Sequence, residues 1–484
     1  MGQPINLPIA QGSYPSESRV IADLQAINCY PNIVQNQGLS QETVFGTPGI
    51  ITLTSTGIIK QVNRGSHEKN EIAYVVNGDK LYRVDRTVVE DEDDVFSNTS
   101  LGTVTGSGRV EMADNGTQLI ILVPGGDGFI YNENAGTPFE KITDLDFPAN
   151  GNPETVRFID GYFVFTTDAK RVMSSALNDG LNYNALDFAS AERDPDKITG
   201  QVIHNNQQFV IGTQSTEPFS NQGAATGYPL TRQQGYSFDK GSRSPFTIIK
   251  TGDSFMMIGS GENESPAMWE FIGNGYKKIS NTAIEHLLQT ASDTQIAEAF
   301  AFYYSQKGAY FACFTVGRRT FCYDLVTQRW HERSSFIDEQ NERFRVNSII
   351  TAYGRLLVAD SIDGRIGELN VDHYFEYDEE IRRIVTTANF SNSTRSIRVS
   401  SIEITIESGV GNDDRPDPQI GLSFSDDGGA SFSFELSRSM GKIGEYRARQ
   451  IWNKQGRAPR FRMYKITMSD PVKFVLILLT ANIA

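Results

Sequence analysis

Residues Ser425-Asp426-Asp427-Gly428-Gly429-Ala430-Ser431-Phe432 have the spacing S-x-D-x-G-x-x-F, the pattern of an Asp box. A carboxylate so placed accepts hydrogen bonds from the backbone amides of a hairpin turn while an aromatic ring packs beneath. Ser425, Asp427, Gly429 and Phe432 are therefore expected to build a structural turn and not to carry out catalysis. Glu90-Asp91-Glu92-Asp93-Asp94 gathers five acids in one loop. It lacks the alternating ligands and the glycine of a calcium loop, so a solvated charge run is expected there, with cation binding left open. The five histidines, His67, His204, His286, His331 and His373, form no HxH or HxxxH pair, and no G-x-S-x-G elbow occurs. Gly106-Ser107-Gly108-Arg109-Val110 looks like half of a phosphate loop, but no lysine and helix follow, and it reads as a turn entering a strand. The residues imply no catalytic set, no metal site and no cofactor.

One stretch departs from the rest of the chain in charge. The whole carries 44 Lys and Arg against 59 Asp and Glu, a net of -15, the wrong sign for a protein that grips nucleic acid by neutralising phosphates. Yet between Arg438 and Lys465 only Glu445 opposes a succession of basic residues. Such segregation suggests a docking surface for an acidic partner, and Arg447, Arg449, Trp452, Arg457 and Arg460 are the interface candidates, since basic and aromatic residues are enriched at interface anchors.

The elements that position these residues are strands. Ile72-Ala73-Tyr74-Val75-Val76, then Asn77-Gly78-Asp79, then Lys80 to Asp85 reads as a tight hairpin with Asn77-Gly78 at its turn. Similar apolar runs start at Gln118, Gly161, Gln208, Ser254, Ala309 and Arg355, at intervals of roughly 43 to 55 residues, the period of a four-stranded propeller blade. A blade buries its faces only against neighbours, so these units are expected to close radially. Seven blades are favoured, with six and eight as alternatives. Asn281 to Leu288 reads as a short inserted helix capped by Asn281 or Thr282.

From about residue 390 strict alternation takes over, as in Arg398 to Ile406, with further strands expected at Ile420–Phe424, Phe432–Leu436, Arg460–Thr467 and Val472–Leu479. The organisation expected is an extended N-terminal arm over 1–45, packing along another domain or subunit, a β-propeller over 46–388, and a β-sandwich-like domain over 389–484. The fold class is all-β. Cys29, Cys313 and Cys322 imply no disulfide framework: Cys313 and Cys322 flank the Gly317 turn on paired strands and could lie near each other, but small buried side chains are the default reading, in keeping with folding in a reducing cytoplasm. The Met1 to Asn6 segment has no leader-like pattern, and the longest apolar run, Phe474 to Leu479, is far below the roughly 20 residues a membrane span needs. No membrane partner is expected.

Several segments together resemble the packaged-DNA stabilisation protein, or tail hub, of P22-like short-tailed phages. They are Gly46-Thr47-Pro48-Gly49-Ile50, Gly106 to Ala113, Gly161-Tyr162-Phe163, Asn182 to Glu192, Ser425-Asp426-Asp427-Gly428-Gly429 and Gly444-Glu445-Tyr446. The resemblance implies a non-enzymatic virion protein of the tail, assembled as a homohexameric ring beneath the portal and its adaptor protein. It also implies that this hub closes the DNA exit channel with a tail needle, retains packaged DNA that passes the lumen without sequence-specific contacts, and seats tailspikes. The alternative from a different class is a glycan-binding or glycan-hydrolysing propeller. Asp boxes also occur in sialidases, which further require an arginine cluster and a Tyr-Glu nucleophile pair, neither of which spacing can reveal. A generic interaction platform is disfavoured by the absence of WD and kelch signatures.

Overall fold

The computed structural model describes residues 3–34, 36, 38–57, 62–90, 93–191, 196–223, 226–392 and 395–483. Each apolar run read from the sequence is the second strand of an antiparallel sheet: Ile72–Asn77, Leu119–Leu122, Tyr162–Thr167, Gln207–Gly212, Ser254–Ser260, Ala309–Val316 and Arg355–Asp360. These strands read as continuous apolar runs because both faces are covered. Val75 turns toward Ala359 and Leu357 of the last sheet, while Tyr74 and Val76 turn toward Leu119 and Ile121 of the second. Equivalent clusters fill each gap between successive sheets. The first strands of successive sheets stand side by side about an axis, and Val346–Ala352 of the last lies against Asn63–Lys69 of the first, which closes the ring of the β-propeller.

The last sheet is completed from the other end of the chain. Its outer strand is Gly49–Ser55, antiparallel to Arg365–Asn370, with Leu369 opposite Ile50. The hairpin turn of the first sheet differs by one residue from the expectation: Asn77 pairs with Lys80, so Gly78 and Asp79 form the turn, and Gly78 supplies the left-handed backbone at φ 58°. Asn77 instead donates from its side-chain amide to Thr56 Oγ1 at 3.1 Å.

The helix forms over Thr282–Thr290, capped by the Asn281 side chain accepting from Ile284 N–H, with Ile284 and Leu288 buried. A second short helix, Asp293–Ala297, follows behind a capping box on Ser292. Cys313 and Cys322 stand directly opposite on neighbouring strands and are joined as a disulfide, which corrects the reading of them as two small side chains. Register places them face to face, and sequence spacing does not report register.

The C-terminal domain is a β-sandwich. One sheet contains Gln450–Ala458, Ile397–Ile406 and Val475–Ile483, and the other Arg383–Thr386, Phe461–Met468, Gln419–Ser425 and Leu436–Ser439. Val399, Ile402, Ile404, Trp452, Tyr464, Ile466, Leu476 and Leu479 fill the space between. Two strands depart from the sequence reading. The return leg expected at Phe432–Leu436 joins the ladder only at Leu436, opposite Leu422, because the turn before it is held by side chains, with Ser433 bonded to Phe424. Gln450–Ala458 was not foreseen; its alternation is broken by Lys454 and Gly456 at φ 56° and 80°, where the pairing with Val399 and Ser401 shifts.

The N-terminal segment is woven through both domains. Gln3–Leu7 and Glu42–Gly46 both pair with Val475–Ile483, and Cys29–Ile33 pairs with Glu42–Gly46. Ala26–Ile27 lies between Arg329–Ile337 of the sixth propeller sheet and Arg383–Thr386 of the sandwich, so that one continuous sheet crosses the junction. Ile50 is fully buried in the closing strand. Ile50→Ala is expected to lower unfolding stability by about 2–5 kcal/mol, measured by chemical denaturation. A loss below about 1 kcal/mol would mean that the closing strand contributes little.

Candidate functional site

The Asp-box turn forms as its residue types dictate. Ser425 Oγ donates to Asp427 Oδ1 at 2.6 Å and accepts from Gly429 N–H at 2.8 Å, and Asp427 accepts from Ser431 N–H at 2.9 Å. The hydroxyls of Ser425 and Ser431 hold the Asp427 carboxyl well below the usual carboxylate range. Gly428 and Gly429 take φ 77° and 93°, and a Cβ on Gly428 would come within 2.9 Å of the Val20 Cα, so the turn seats the N-terminal segment. Phe432 is half-buried, under the Lys465 ammonium at 4.1 Å. Asp426, the neighbour that the motif ignores, makes a bidentate pair with Arg462 at 2.7 Å on both arms. Arg462 is buried over the Phe424 ring and also donates to Gln455 O.

The basic stretch is less segregated in space than along the chain. Arg449 is paired with Glu403 at 2.9 Å, and Arg462 with Asp426. Arg447, Arg449, Arg457 and Arg460 are exposed, and Arg457, which donates to Ser396 Oγ at 2.7 Å, stands opposite Arg398 on the outer face of the sandwich. Trp452 does not belong with them: it is 1% exposed, with its indole N–H on Leu436 O at 2.8 Å, and it is a core residue. Its pairing opposite the core residue Ile402 places it on the inner face. Beside the arginines in sequence, Phe434 and Tyr446 are exposed at 87% and 78%, and Ile443 and Leu436 at 55% and 49%. These large apolar side chains were missed as interface candidates. Their signal was the Gly444-Glu445-Tyr446 segment, aromatic and apolar residues set among glycines and charges.

Two further features sit in the propeller. Asp94 of the acidic run accepts from Arg86 at 2.9 Å and Arg355 at 3.0 Å, joining the first and last sheets, while Asp91 and Glu92 lie outside the described residues, as does Glu192. No group of three His, Cys, Asp or Glu that could hold a metal is present among the described residues. On the axis, Arg109 donates to Asn347 Oδ1 at 2.9 Å and Asn347 O at 2.7 Å and lies 4.0 Å from the Phe300 ring. Burial and the neighbouring Arg343 push its guanidinium down to about 9. Arg64, Arg109 and Arg343 border one axial cavity of about 450 Å³, and Arg109 and Asn347 also border the adjoining one of about 360 Å³, so this side chain partitions the axis. In the second cavity Glu111 is paired with Arg157, and Tyr303 stacks on Tyr310.

A family model described as bacteriophage P22 Gp10, β-propeller, matches residues 5–374, and one described as bacteriophage P22 Gp10, β-sandwich, matches residues 382–484. The chain belongs to the bacteriophage P22 Gp10 family. It is thus a phage structural protein, and the resemblance to the P22-like tail hub read from its sequence is borne out. No curated protein matches the chain. Among solved structures, the WD40 β-propeller domain of Doa1 is similar, at 12% identity and a TM-score of 0.41, over 67% of this chain and 97% of that one. In this member of the P22 Gp10 family no helix among the described residues is long and apolar enough to cross a membrane.

Two outcomes test the turn. Removing Asp426 strands a buried guanidinium, so Asp426→Ala is expected to cost on the order of 3 kcal/mol in denaturant unfolding. A loss under 1 kcal/mol would reassign Arg462 to its carbonyl bond alone. The Asp427 carboxyl titrates lower in the folded than in the unfolded chain, so its contribution is present above the unfolded value of about 3.9 and is lost as pH falls through that value toward the folded one. Asp427→Asn is expected to flatten the dependence of stability on pH below about 4, followed by thermal unfolding across an acid series.

Proposed function

We propose that this chain is a tail hub: a homohexameric ring below the portal and its adaptor that closes the DNA exit channel together with a tail needle, retains packaged DNA and seats tailspikes. The observation that carries the reading is a closed propeller welded to a sandwich by its own N-terminal strands, in a chain of the P22 Gp10 family. Such a body is stiff because ring closure and a sheet that crosses between domains leave few soft joints. It suits a wall segment that must hold pressure. The net charge of -15 favours passage of a polyanion without adhesion. Contact with the adaptor is assigned to the exposed side chains Arg447, Arg449, Arg457 and Arg460 together with Phe434, Ile443 and Tyr446. Exposed arginines together with exposed aromatic and aliphatic side chains are the residue types enriched at protein-binding faces.

The axial arginines favour a second reading, in which the propeller binds a glycan. Arg109 is already bonded to Asn347 and stacked on Phe300, and Glu111 and Tyr303 are each engaged elsewhere, which supports the mechanical role over a hydrolytic one.

Reversing Arg447, Arg449, Arg457 and Arg460 to Glu together is expected to abolish assembly onto purified portal and adaptor rings, imaged by negative stain, while the circular dichroism and melting of the free chain stay unchanged. Assembly at normal yield would remove these residues from the contact. Incubation with a panel of sialosides and other glycosides is expected to release no sugar; turnover would replace the hub reading by the glycan one.

A further inference from the structure

Three arginines converge on the propeller axis from three different sheets. Arg64 lies in Asn63–Lys69 of the first sheet, Arg109 stands just before Glu111–Asp114 of the second, and Arg343 ends the Gln340–Arg343 strand just before Val346–Ala352 of the last. All three border the cavity of about 450 Å³, together with Phe300 and the Gly106-Ser107-Gly108 turn. Contacts tie them into one cluster. The guanidinium carbons of Arg109 and Arg343 lie 4.0 Å and 5.2 Å from the centroid of the same Phe300 ring. Arg64 Nε donates to Gly108 O at 2.6 Å, in the turn that leads into Arg109. Asn347, which accepts both Arg109 bonds, donates in turn to the carbonyl of Asn63, next to Arg64.

Like charges gathered in this way repel, and the carboxylates near them are engaged elsewhere. Glu111 is paired with Arg157, Glu342 with Arg318 and Asp360 with Arg345. Glu298 borders the cavity but is exposed and has no ion pair among the described residues, and Asp79, which acts on Arg64 from the first hairpin, is also exposed. The arginines differ in what they offer. Arg64 is 7% exposed; its Nε and Nη1 bond the carbonyls of Gly108, Gly78 and Val104, and its Nη2 is sealed off without a partner, so it adds charge to the wall and no free donor. Arg109 and Arg343 are partly exposed. Arg343 makes one long hydrogen bond, from Nη1 to Phe344 O at 3.4 Å, which leaves its Nε and Nη2 without an acceptor among the described residues. The backbone N–H groups of Gly106, Ser107 and Gly108 also have no acceptor among the described residues, in an exposed turn with left-handed backbone at Gly106, φ 93°, and Gly108, φ 81°.

We propose that this axial cavity binds a phosphate group, held by Arg343 and Arg109 and by the amides of the Gly106–Gly108 turn, within the positive field of Arg64. The turn that reads in sequence as half of a phosphate loop thus gains from other sheets the cations that its own lysine and helix would have supplied. A carboxylate is flat and singly charged, and one guanidinium satisfies it in a bidentate pair. A phosphate carries more charge and more acceptor oxygens, and so suits donors that approach from several sides. The cavity is roomier than the ion alone, so the group can arrive free or as an ester. The inference needs only the closed ring and stands whether or not the chain is a tail hub.

Calorimetric titration of the full chain at low ionic strength with inorganic phosphate, thymidine 5′-monophosphate, acetate and N-acetylneuraminate tests the site. Both phosphates are expected to bind more tightly than either carboxylate, by on the order of tenfold, and to weaken as sodium chloride is raised. Arg343→Gln is expected to weaken phosphate binding by on the order of tenfold with the melting temperature unchanged, since Arg343 is partly exposed and its bond is long. Ser107→Glu, at an exposed position of the turn, places a carboxylate beside the cavity and serves as the second variant should the first not fold; the same loss is expected. Tighter binding of the nucleotide than of the free ion assigns the site to phosphate esters, and equal binding assigns it to the free ion. No binding of either phosphate to the native chain, carboxylates that bind as tightly as phosphate, or undiminished binding by the folded variants overturns the site.

Discussion

The sheet edge that governs the architecture is the outer side of Arg365–Asn370. An open propeller would expose that strand and leave the first and last sheets facing water with Val75, Val84, Leu357 and Ala359 uncovered. Gly49–Ser55 closes the gap. Since this strand comes from early in the chain, closing the ring also draws the residues before it across the propeller's flank and into the sandwich. There Gln3–Leu7 and Glu42–Gly46 cover the edge of Val475–Ile483. One constraint on hydrogen bonding thus produces both the ring and its attachment to the second domain.

The junction so formed is rich in buried charge. Arg345 gives two hydrogen bonds to Asp360, Ser335 donates to Glu376, and Arg333 donates to the carbonyl of Pro48 at 3.1 Å, next to the closing strand. Such pairs add less net stability than apolar packing would, but breaking one is costly, and all of them lie within the propeller, where its sixth and last sheets meet the closing strand. Arg383, at the edge of the sandwich, departs from the pattern: among the described residues its Nε and Nη2 have no hydrogen-bond partner.

The exposed face of the sandwich has a different physical character. There the arginines are solvated, and Arg449 is held by an exposed ion pair with Glu403 that contributes little to folding. Phe434 and Tyr446, near them in sequence, are large apolar side chains that are likewise left in water. The core holds without them, since Trp452, Tyr464 and their neighbours fill the space between the sheets.

The sequence by itself determined the repeating unit, because a strand covered on both faces must be apolar throughout. Ile72–Asn77, Tyr162–Thr167 and Ala309–Val316 announce themselves in that way. It determined the capped helix at Asn281 and the Asp-box turn, since both are made of bonds between residues a few positions apart. Contacts between distant parts of the chain were decided only in three dimensions. Strand Gln450–Ala458 was hidden by its bulge, and the inward face of Trp452 follows from its pairing opposite Ile402. The facing of Cys313 and Cys322 depends on register, the pairing of Arg449 with Glu403 on which strands adjoin, and the isolation of Arg383 on how two domains meet. Local bonds are written in adjacent residues; register, adjacency and desolvation exist only once the ring has closed.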